Sequence, residues 1–103
     1  MVDSSIANMP VHELVIHQWQ HIKEYPPMKA IFLVAAENEY VNKAMIEDLV
    51  SFSKPTVHAI IDSLCALGYL TTHEIGKRKM YSLSLLGQEL LDVAKNDDEN
   101  IQS

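Results

Sequence analysis

The sequence predicts a mainly α-helical domain with one small β-hairpin, an α+β fold. Apolar residues recur at helical spacing over most of the chain, whereas two short segments around Gly76 are rich in strand-forming residues. At 103 residues, of which 48% are hydrophobic, the chain suits one compact domain with a modest core, because small domains bury a smaller share of their surface.

The N-terminal third predicts two helices separated by a proline break. Residues 1–8 are polar and are expected to form a flexible N-terminus. Pro10 suits a helix start, and one apolar stripe follows it, formed by Val11, Leu14, Val15, Trp19 and Ile22. Tyr25-Pro26-Pro27 ends this helix, and Met28 to Ala36 is apolar nearly all round, which predicts a helix at the centre of the domain.

A shorter helix follows, and its capping residue is Asn42. The helix carries apolar residues at Met45, Ile46, Leu49 and Val50. Just before it, Tyr40-Val41 favours a short strand that pairs with the hairpin. Ser51-Phe52-Ser53 has the length of a tight turn, so this helix and the next one predict a helix-turn-helix.

The second helix of that pair has clear end signals. Either Ser53 or Lys54 is its last non-helical residue, because Pro55 restricts the residue before it and suits a first turn. Gly68 ends the helix, since glycine takes the left-handed conformation without steric cost. The buried side is predicted to carry Val57, Ile60, Ile61, Leu64 and Leu67, and the other side Lys54, Thr56, His58, Ala59, Asp62 and Ser63.

The remaining residues predict a hairpin and a final helix. Tyr69 to Glu74 and Lys79 to Leu83 form the strands, and Gly76-Lys77-Arg78-Lys79 places a basic group at the tip. The last helix is predicted over residues 84–95. Residues 96–103 are expected to form an acidic, flexible tail.

Two motifs in this order resemble those of MarR-like winged-helix regulators. Ser53-x-x-Thr56-Val57-x-x-Ile60-Ile61-Asp62-x-Leu64-x-x-x-Gly68-Tyr69-Leu70 is similar to their recognition helix. Tyr81-Ser82-Leu83-Ser84-Leu85-Leu86-Gly87 is similar to the Leu-Thr-x-x-Gly step that leads from the wing into the last helix. The resemblance spans roughly residues 28–95 and implies a winged helix-turn-helix. We expect the domain to cover residues 9–95, and its N- and C-terminal helices carry broader apolar stripes than one small domain needs, which predicts that they form a dimer interface.

Charge is distributed unevenly. The chain has a formal net charge of −6, which argues against nonspecific nucleic-acid binding. Residues 40–83, however, hold five basic and four acidic residues, so the excess of negative charge lies in the segments before and after them. This pattern fits a near-neutral DNA-reading region between acidic outer elements that repel DNA from the other faces.

The resulting hypothesis is a sequence-specific, DNA-binding transcriptional regulator that acts as a homodimer on double-stranded DNA. Its recognition helix would enter the major groove, and its basic wing would contact the flanking backbone. The candidate DNA-binding residues are Asn42, Lys43, Ser53, Lys54, Thr56, His58, Lys77, Arg78 and Lys79. The candidate dimer interface consists of Val11, Leu14, Val15, Trp19, Leu86, Leu90 and Val93.

An alternative is a winged-helix module that binds a protein partner instead of DNA. Many regulators of the resembled family carry Arg or Lys where this helix has Ala59, Ser63, Cys65 and Ala66, so its surface is poor in phosphate contacts. A metal-responsive regulator is a third hypothesis. Glu13, His17 and His21 are spaced by four residues, and imidazoles at that spacing can bind zinc, although a polar helix face explains them equally.

Other functional classes lack their motifs. The sequence has no Gly-rich phosphate loop, nucleophile elbow or evident carboxylate pair, so we expect no enzyme activity and no cofactor. No apolar run has the length of a membrane span and no signal peptide is evident, which predicts a cytoplasmic protein. The single cysteine, Cys65, is expected to be a small, inert residue of its helix.

Overall fold

The computed structural model describes the backbone of residues 11–102 and the side chains of residues 12–97. The predicted flexible N-terminus (residues 1–8), Ser103 and the side chain of Val11 lie outside this part. Within it, the elements follow the order α1 Val11–Lys23, α2 Pro26–Glu37, α3 Lys43–Leu49, α4 Lys54–Ala66, β1 Leu70–Ile75, β2 Arg78–Leu83 and α5 Leu85–Gln102. The predicted α+β fold, a winged helix-turn-helix with additional helices on both sides, is confirmed.

Local signals account for the ends of the helix-turn-helix. The Asn42 side-chain oxygen accepts a hydrogen bond from the Met45 amide at 2.8 Å and caps α3. Ser53 is the residue that caps α4: its backbone is extended and its hydroxyl accepts from the Thr56 amide at 3.4 Å. At the other end of α4, Gly68 has φ +88° and the Tyr69 amide bonds back to the Leu64 carbonyl at 2.9 Å, which is a Schellman ending.

The hydrophobic core lies where the helices meet the base of the hairpin. The central helix α2 buries Ile31, Phe32 and Ala35, and α4 buries the predicted residues Val57, Ile60, Ile61 and Leu64. Leu67 was predicted on the same side, but it lies beyond the last helical turn and is 42% exposed. The largest fully buried side chains include Trp19, Phe32, Ile46, Tyr81 and Leu90, so both outer helices contribute to this single core.

The hairpin is tighter than predicted. The two antiparallel strands pair from Leu70 with Leu83 to Ile75 with Arg78, so only Gly76 and Lys77 form the turn, where four residues were expected. Gly76 has φ +65°, as the first central residue of a type II′ turn requires. The predicted third strand is reduced to one antiparallel bridge, in which Val41 and Tyr81 exchange backbone hydrogen bonds of 2.9 and 2.7 Å.

A close backbone contact joins the hairpin to α5. The Ser84 amide donates to the Tyr69 carbonyl at 3.1 Å, and the Ser84 hydroxyl accepts from the Gly87 amide at 2.9 Å. A Cβ atom at Gly87 would clash with the Tyr69 carbonyl oxygen. Gly87, the glycine of the second motif, is therefore required because there is no room for a side chain at this position.

The last helix is longer than predicted. α5 continues to Gln102, so the backbone of the tail predicted from Asn96 is helical as far as that residue. Asp97 anchors this extension to α1, because it accepts hydrogen bonds from the Trp19 indole at 3.1 Å and from the Lys23 ammonium at 3.2 Å. The hydrogen bond from Trp19 has the largest effect on the pKa of the Asp97 carboxyl, which it lowers, and the hydrogen bond from Lys23 lowers this pKa further. None of the described helices is long and apolar enough to cross a membrane.

Candidate nucleic-acid interface

The first turn of α4 presents short polar side chains next to one cation. The Ser53 and Thr56 hydroxyls lie 2.8 Å apart, and both belong to the cap of the helix. Lys54 is exposed, and among the described residues no carboxylate pairs with it. The start of the helix therefore offers one free ammonium group and hydroxyls whose orientation is fixed by the cap.

An ion pair and a hydrogen bond connect α3 to α4. Lys43 Nζ lies 3.3 Å from Asp62 Oδ1, and His58 Nε2 lies 3.2 Å from Glu47 Oε1. Residues 43 and 47 are one helical turn apart on α3, and residues 58 and 62 are one turn apart on α4. The first of these two residues on each helix contacts the second of the two on the other helix, and we call these two contacts the ladder. Two of the candidate DNA-binding side chains, Lys43 and His58, are thus already engaged within the protein.

The wing tip carries free cations. Lys77, Arg78 and Lys79 are all exposed, and no carboxylate of the described residues forms an ion pair with any of them. Glu74 lies opposite Lys79 in the strand ladder, but the Lys79 ammonium is instead 6.0 Å from the centre of the Tyr81 ring. Because these charges are unpaired and solvated, they are available to phosphates.

A groove of about 370 Å³ runs between the start of α3 and the wing. It is lined by Asn42, Lys43, Ala44, Arg78, Lys79 and Tyr81, so it brings together candidate residues from both motifs. Three of the six lining side chains are basic, and none is acidic. The fold thereby joins Lys43 to the wing in one basic surface, to which Lys54 does not contribute.

The base of the wing is held by contacts on both of its sides. The Val41 bridge fixes β2 at Tyr81. On β1, His73 Nε2 lies 2.7 Å from the Ser82 hydroxyl, and the Tyr40 ring packs edge-on against the His73 ring at 5.3 Å between centres. The wing is therefore positioned relative to α3, and its cations are not on an unsupported loop.

Most of the predicted dimer interface belongs to the core of the chain itself. Val15, Trp19, Leu90 and Val93 are buried, each at most 6% exposed, which corrects their assignment to the interface. The cause is that α1 and α5 pack on each other, so their apolar stripes face inwards. Leu86 is half-buried, and Leu14 is 38% exposed. Leu14 is therefore the predicted interface residue whose described side chain is free for a partner.

The candidate metal ligands are not joined by a third group. The His17 and His21 rings pack edge to face with their centres 5.1 Å apart. Within the part of the chain that the structure describes, no three His, Cys, Asp or Glu side chains are grouped closely enough to hold a metal ion. The pair is accounted for by the exposed polar face of α1. Cys65 is half-buried, with its sulfur 3.9 Å from the Thr72 hydroxyl.

Sequence reasoning missed the acidic partners at the interface. Glu47 and Asp62 decide what Lys43 and His58 contact, yet neither is among the candidate residues that the motifs indicate. A signal was present: each helix carries a pair of charged or titratable residues four positions apart, and the short turn brings the two helices together.

A known repressor is similar to this chain in sequence. The DNA-binding transcriptional repressor TubR of Bacillus thuringiensis subsp. israelensis is 32% identical over 71 residues, which are 69% of this chain and 68% of the repressor. No protein-family model matches the chain.

Solved structures of TubR have the same fold. TubR bound to 24 bp of tubC, from B. thuringiensis serovar israelensis pBtoxis, aligns with a TM-score of 0.73 at 26% identity, over 87% of this chain and 97% of that one. A mutant of a type III plasmid segregation TubR aligns with a TM-score of 0.76 at 24% identity, over 89% and 96% of the two chains. The second likeness bears on the fold alone.

Proposed function

Since the chain belongs to the TubR family of DNA-binding transcriptional repressors, we propose that it is itself a sequence-specific DNA-binding repressor. The observation that carries the proposal is the basic groove between α3 and the wing, lined by Lys43, Arg78 and Lys79. Its ligand is double-stranded DNA. In this role the protein is a cytoplasmic regulator and not an enzyme.

In the proposed complex, the first turn of α4 enters the major groove and the wing lies on the flanking backbone. Lys54 and Thr56 lie at the end of the helix that meets the bases. Lys77, Arg78 and Lys79 neutralise phosphates, because they are exposed and without carboxylate partners among the described residues. His58 contributes only if it leaves Glu47, to which it is bound at 3.2 Å.

The closer affiliation to MarR-like regulators stays a prediction. It is supported by the step from the wing into α5, where Ser84 and Gly87 meet the backbone of Gly68 and Tyr69. This joint explains why the motif ends in glycine.

The repressor is proposed to act as a homodimer on a pseudo-palindromic site. Leu14 on α1 is 38% exposed and supports a contact between two copies at the outer helices. Light scattering at micromolar concentration tests this proposal, with a dimer expected for the wild type and a weaker one for Leu14→Glu. A wild-type monomer would contradict it.

Selection of bound sites from a random DNA pool tests the function. We expect one enriched, roughly two-fold symmetric sequence, bound more tightly than a scrambled duplex at the same salt concentration. Two of the similar solved structures are of type III plasmid segregation TubR proteins, so plasmid DNA belongs in the same selection. Absence of binding to any duplex would favour the protein-interaction alternative.

A further inference from the structure

An acidic residue lies on the helix that is proposed to enter the DNA. Asp62 is on the exposed side of α4, and its Oδ1 atom is 3.3 Å from Lys43 Nζ. The Asp62 side chain is 66% exposed, whereas the Lys43 side chain is 29% exposed. The carboxylate is therefore open to solvent, and the lysine that it holds is partly covered.

Lys43 has a second environment besides Asp62. It lines the groove with Arg78 and Lys79, whose charges have no carboxylate partner among the described residues. The ammonium thus lies between a carboxylate on one side and a basic groove on the other. A phosphate in the groove would compete with Asp62 for this one cation.

We propose that Asp62 is a specificity-determining residue that withholds the charge of Lys43 from DNA backbones that are not placed in the groove. The inference rests on the proposed DNA-binding function and names a residue that restrains it. A matched site holds a phosphate close enough to Lys43 to displace the carboxylate, whereas a nonspecific duplex meets the wing cations as well but does not hold a phosphate that close to Lys43.

The energetics allow such an exchange. An exposed ion pair is weak, because water and salt screen it, so a well-placed phosphate can replace the carboxylate. A lysine that is already neutralised by a carboxylate displaces no counterion from DNA, and it adds nothing to the salt dependence of nonspecific binding. The negative charge of Asp62 also repels backbones that approach α4 within the screening length, about 8 Å at physiological salt.

The test compares Asp62→Asn with Asp92→Asn, which removes the same charge from an exposed position on α5. Affinities for a selected site and for a scrambled duplex are measured over a series of salt concentrations. For Asp62→Asn we expect about two- to fivefold tighter binding to the scrambled duplex, in keeping with a weak exposed pair. For the scrambled duplex, the slope of log affinity against log salt concentration should steepen by about 0.9, which is the contribution of one additional phosphate contact.

The ratio of specific to nonspecific affinity should fall for Asp62→Asn and stay unchanged for Asp92→Asn. Lys43→Met, which retains most of the aliphatic stem, should return the slope of the Asp62→Asn variant to the wild-type value. Thermal melts confirm that the variants are folded. Weaker binding by Asp62→Asn, or an unchanged slope, would overturn the inference, whereas failure of the wild type to bind any duplex would refute the proposed function itself.

Discussion

The contact between α1 and α5, which we call the seam, differs from the tip of the wing in whether its charged side chains have partners within the protein. At the seam, Asp97 accepts from both Trp19 and Lys23, so its carboxylate is held by two partners. At the wing, Lys77, Arg78 and Lys79 are exposed, and no carboxylate of the described residues pairs with them. The charges at the seam are paired within the protein, whereas the charges at the wing tip are available to a ligand.

This difference separates stability from binding. A charge with a structural partner contributes to folding and has little left to offer DNA, whereas an unpaired surface cation contributes little to folding and can release counterions from a phosphate backbone. The ladder between α3 and α4 is intermediate, because Lys43 and His58 have partners in the protein and also border the proposed DNA surface. Changes in each region should therefore have distinct signatures.

The largest effect is expected at the joint between the hairpin and α5. Gly87→Ala would push a Cβ atom into the Tyr69 carbonyl, which cannot move freely because it accepts the Ser84 amide. We expect the free energy of unfolding to fall by about 3 kcal/mol, at the upper end for overpacked sites, and DNA binding to fall with it. Chemical denaturation measures the change.

Gly76→Ala is the matched control for that variant. Nothing lies within 4 Å of a Cβ at Gly76, so only the positive φ of the turn opposes the substitution. Its cost should be about 1 kcal/mol. An equal loss at both glycines would mean that the close contact at Gly87 is not what requires glycine there.

Alanine at Lys77, Arg78 and Lys79 should produce the largest effect on binding without loss of stability. Each phosphate contact that the substitution removes should reduce the log-log salt slope by about 0.9, and all DNA sequences should be affected about equally. Gel-shift titrations over a salt series measure the slope. Lys95→Ala removes a cation from α5 and is the control, so it should leave the slope unchanged. An unchanged slope in the triple variant as well would show that the wing is not part of the interface.

Smaller and more selective effects are expected in the first two turns of α4. Replacing Thr56 by valine or His58 by alanine should weaken binding to a selected site by about 1–3 kcal/mol for each good hydrogen bond to a base that is removed, while a scrambled duplex is bound as before. Because His58 is held by Glu47, Glu47→Gln separates the roles of the two residues. If Glu47→Gln and His58→Ala lower stability alike and leave the specific affinity unchanged, His58 serves the ladder and does not read bases.

The sequence predicted those features that depend on neighbours along the chain. The caps at Asn42 and Ser53 and the ending at Gly68 follow from local backbone chemistry, so the helix-turn-helix could be placed to within a residue. The hairpin tip and its cations followed from Gly76. These signals sufficed for the fold and for most of the candidate interface.

Contacts between distant residues could not be predicted in this way. Trp19 and Asp97 are 78 positions apart, so periodicity identified Trp19 as apolar but could not distinguish a dimer surface from the seam with α5. The extension of α5 beyond Lys95 could not be predicted for the same reason, since residues 96–99 are polar and the bond to Trp19 is not visible in them.

The smallest effect is expected from Asp97→Asn, and it should depend on pH. The hydrogen bond from Trp19 and the contact with Lys23 hold the pKa of this carboxyl below its ordinary value of 3.8. The contribution of the ionised group to stability is therefore fully present above that ordinary value and is lost as the pH falls through the lower pKa of the folded state. An asparagine in place of Asp97 could still accept from the indole through its amide oxygen, so the substitution removes chiefly the charge.

Thermal melts of the wild type and Asp97→Asn at a series of pH values should thus differ most near neutrality and converge in acid. Asp92→Asn, an exposed change on the same helix, should show no comparable pH-dependent gap. Affinity for DNA at neutral pH should be the same for all three proteins, because the seam holds its charge within the fold. A melting difference that does not change with pH would show that the carboxylate acts through packing alone. A change in DNA affinity would show that the seam and the proposed DNA-binding surface are not independent.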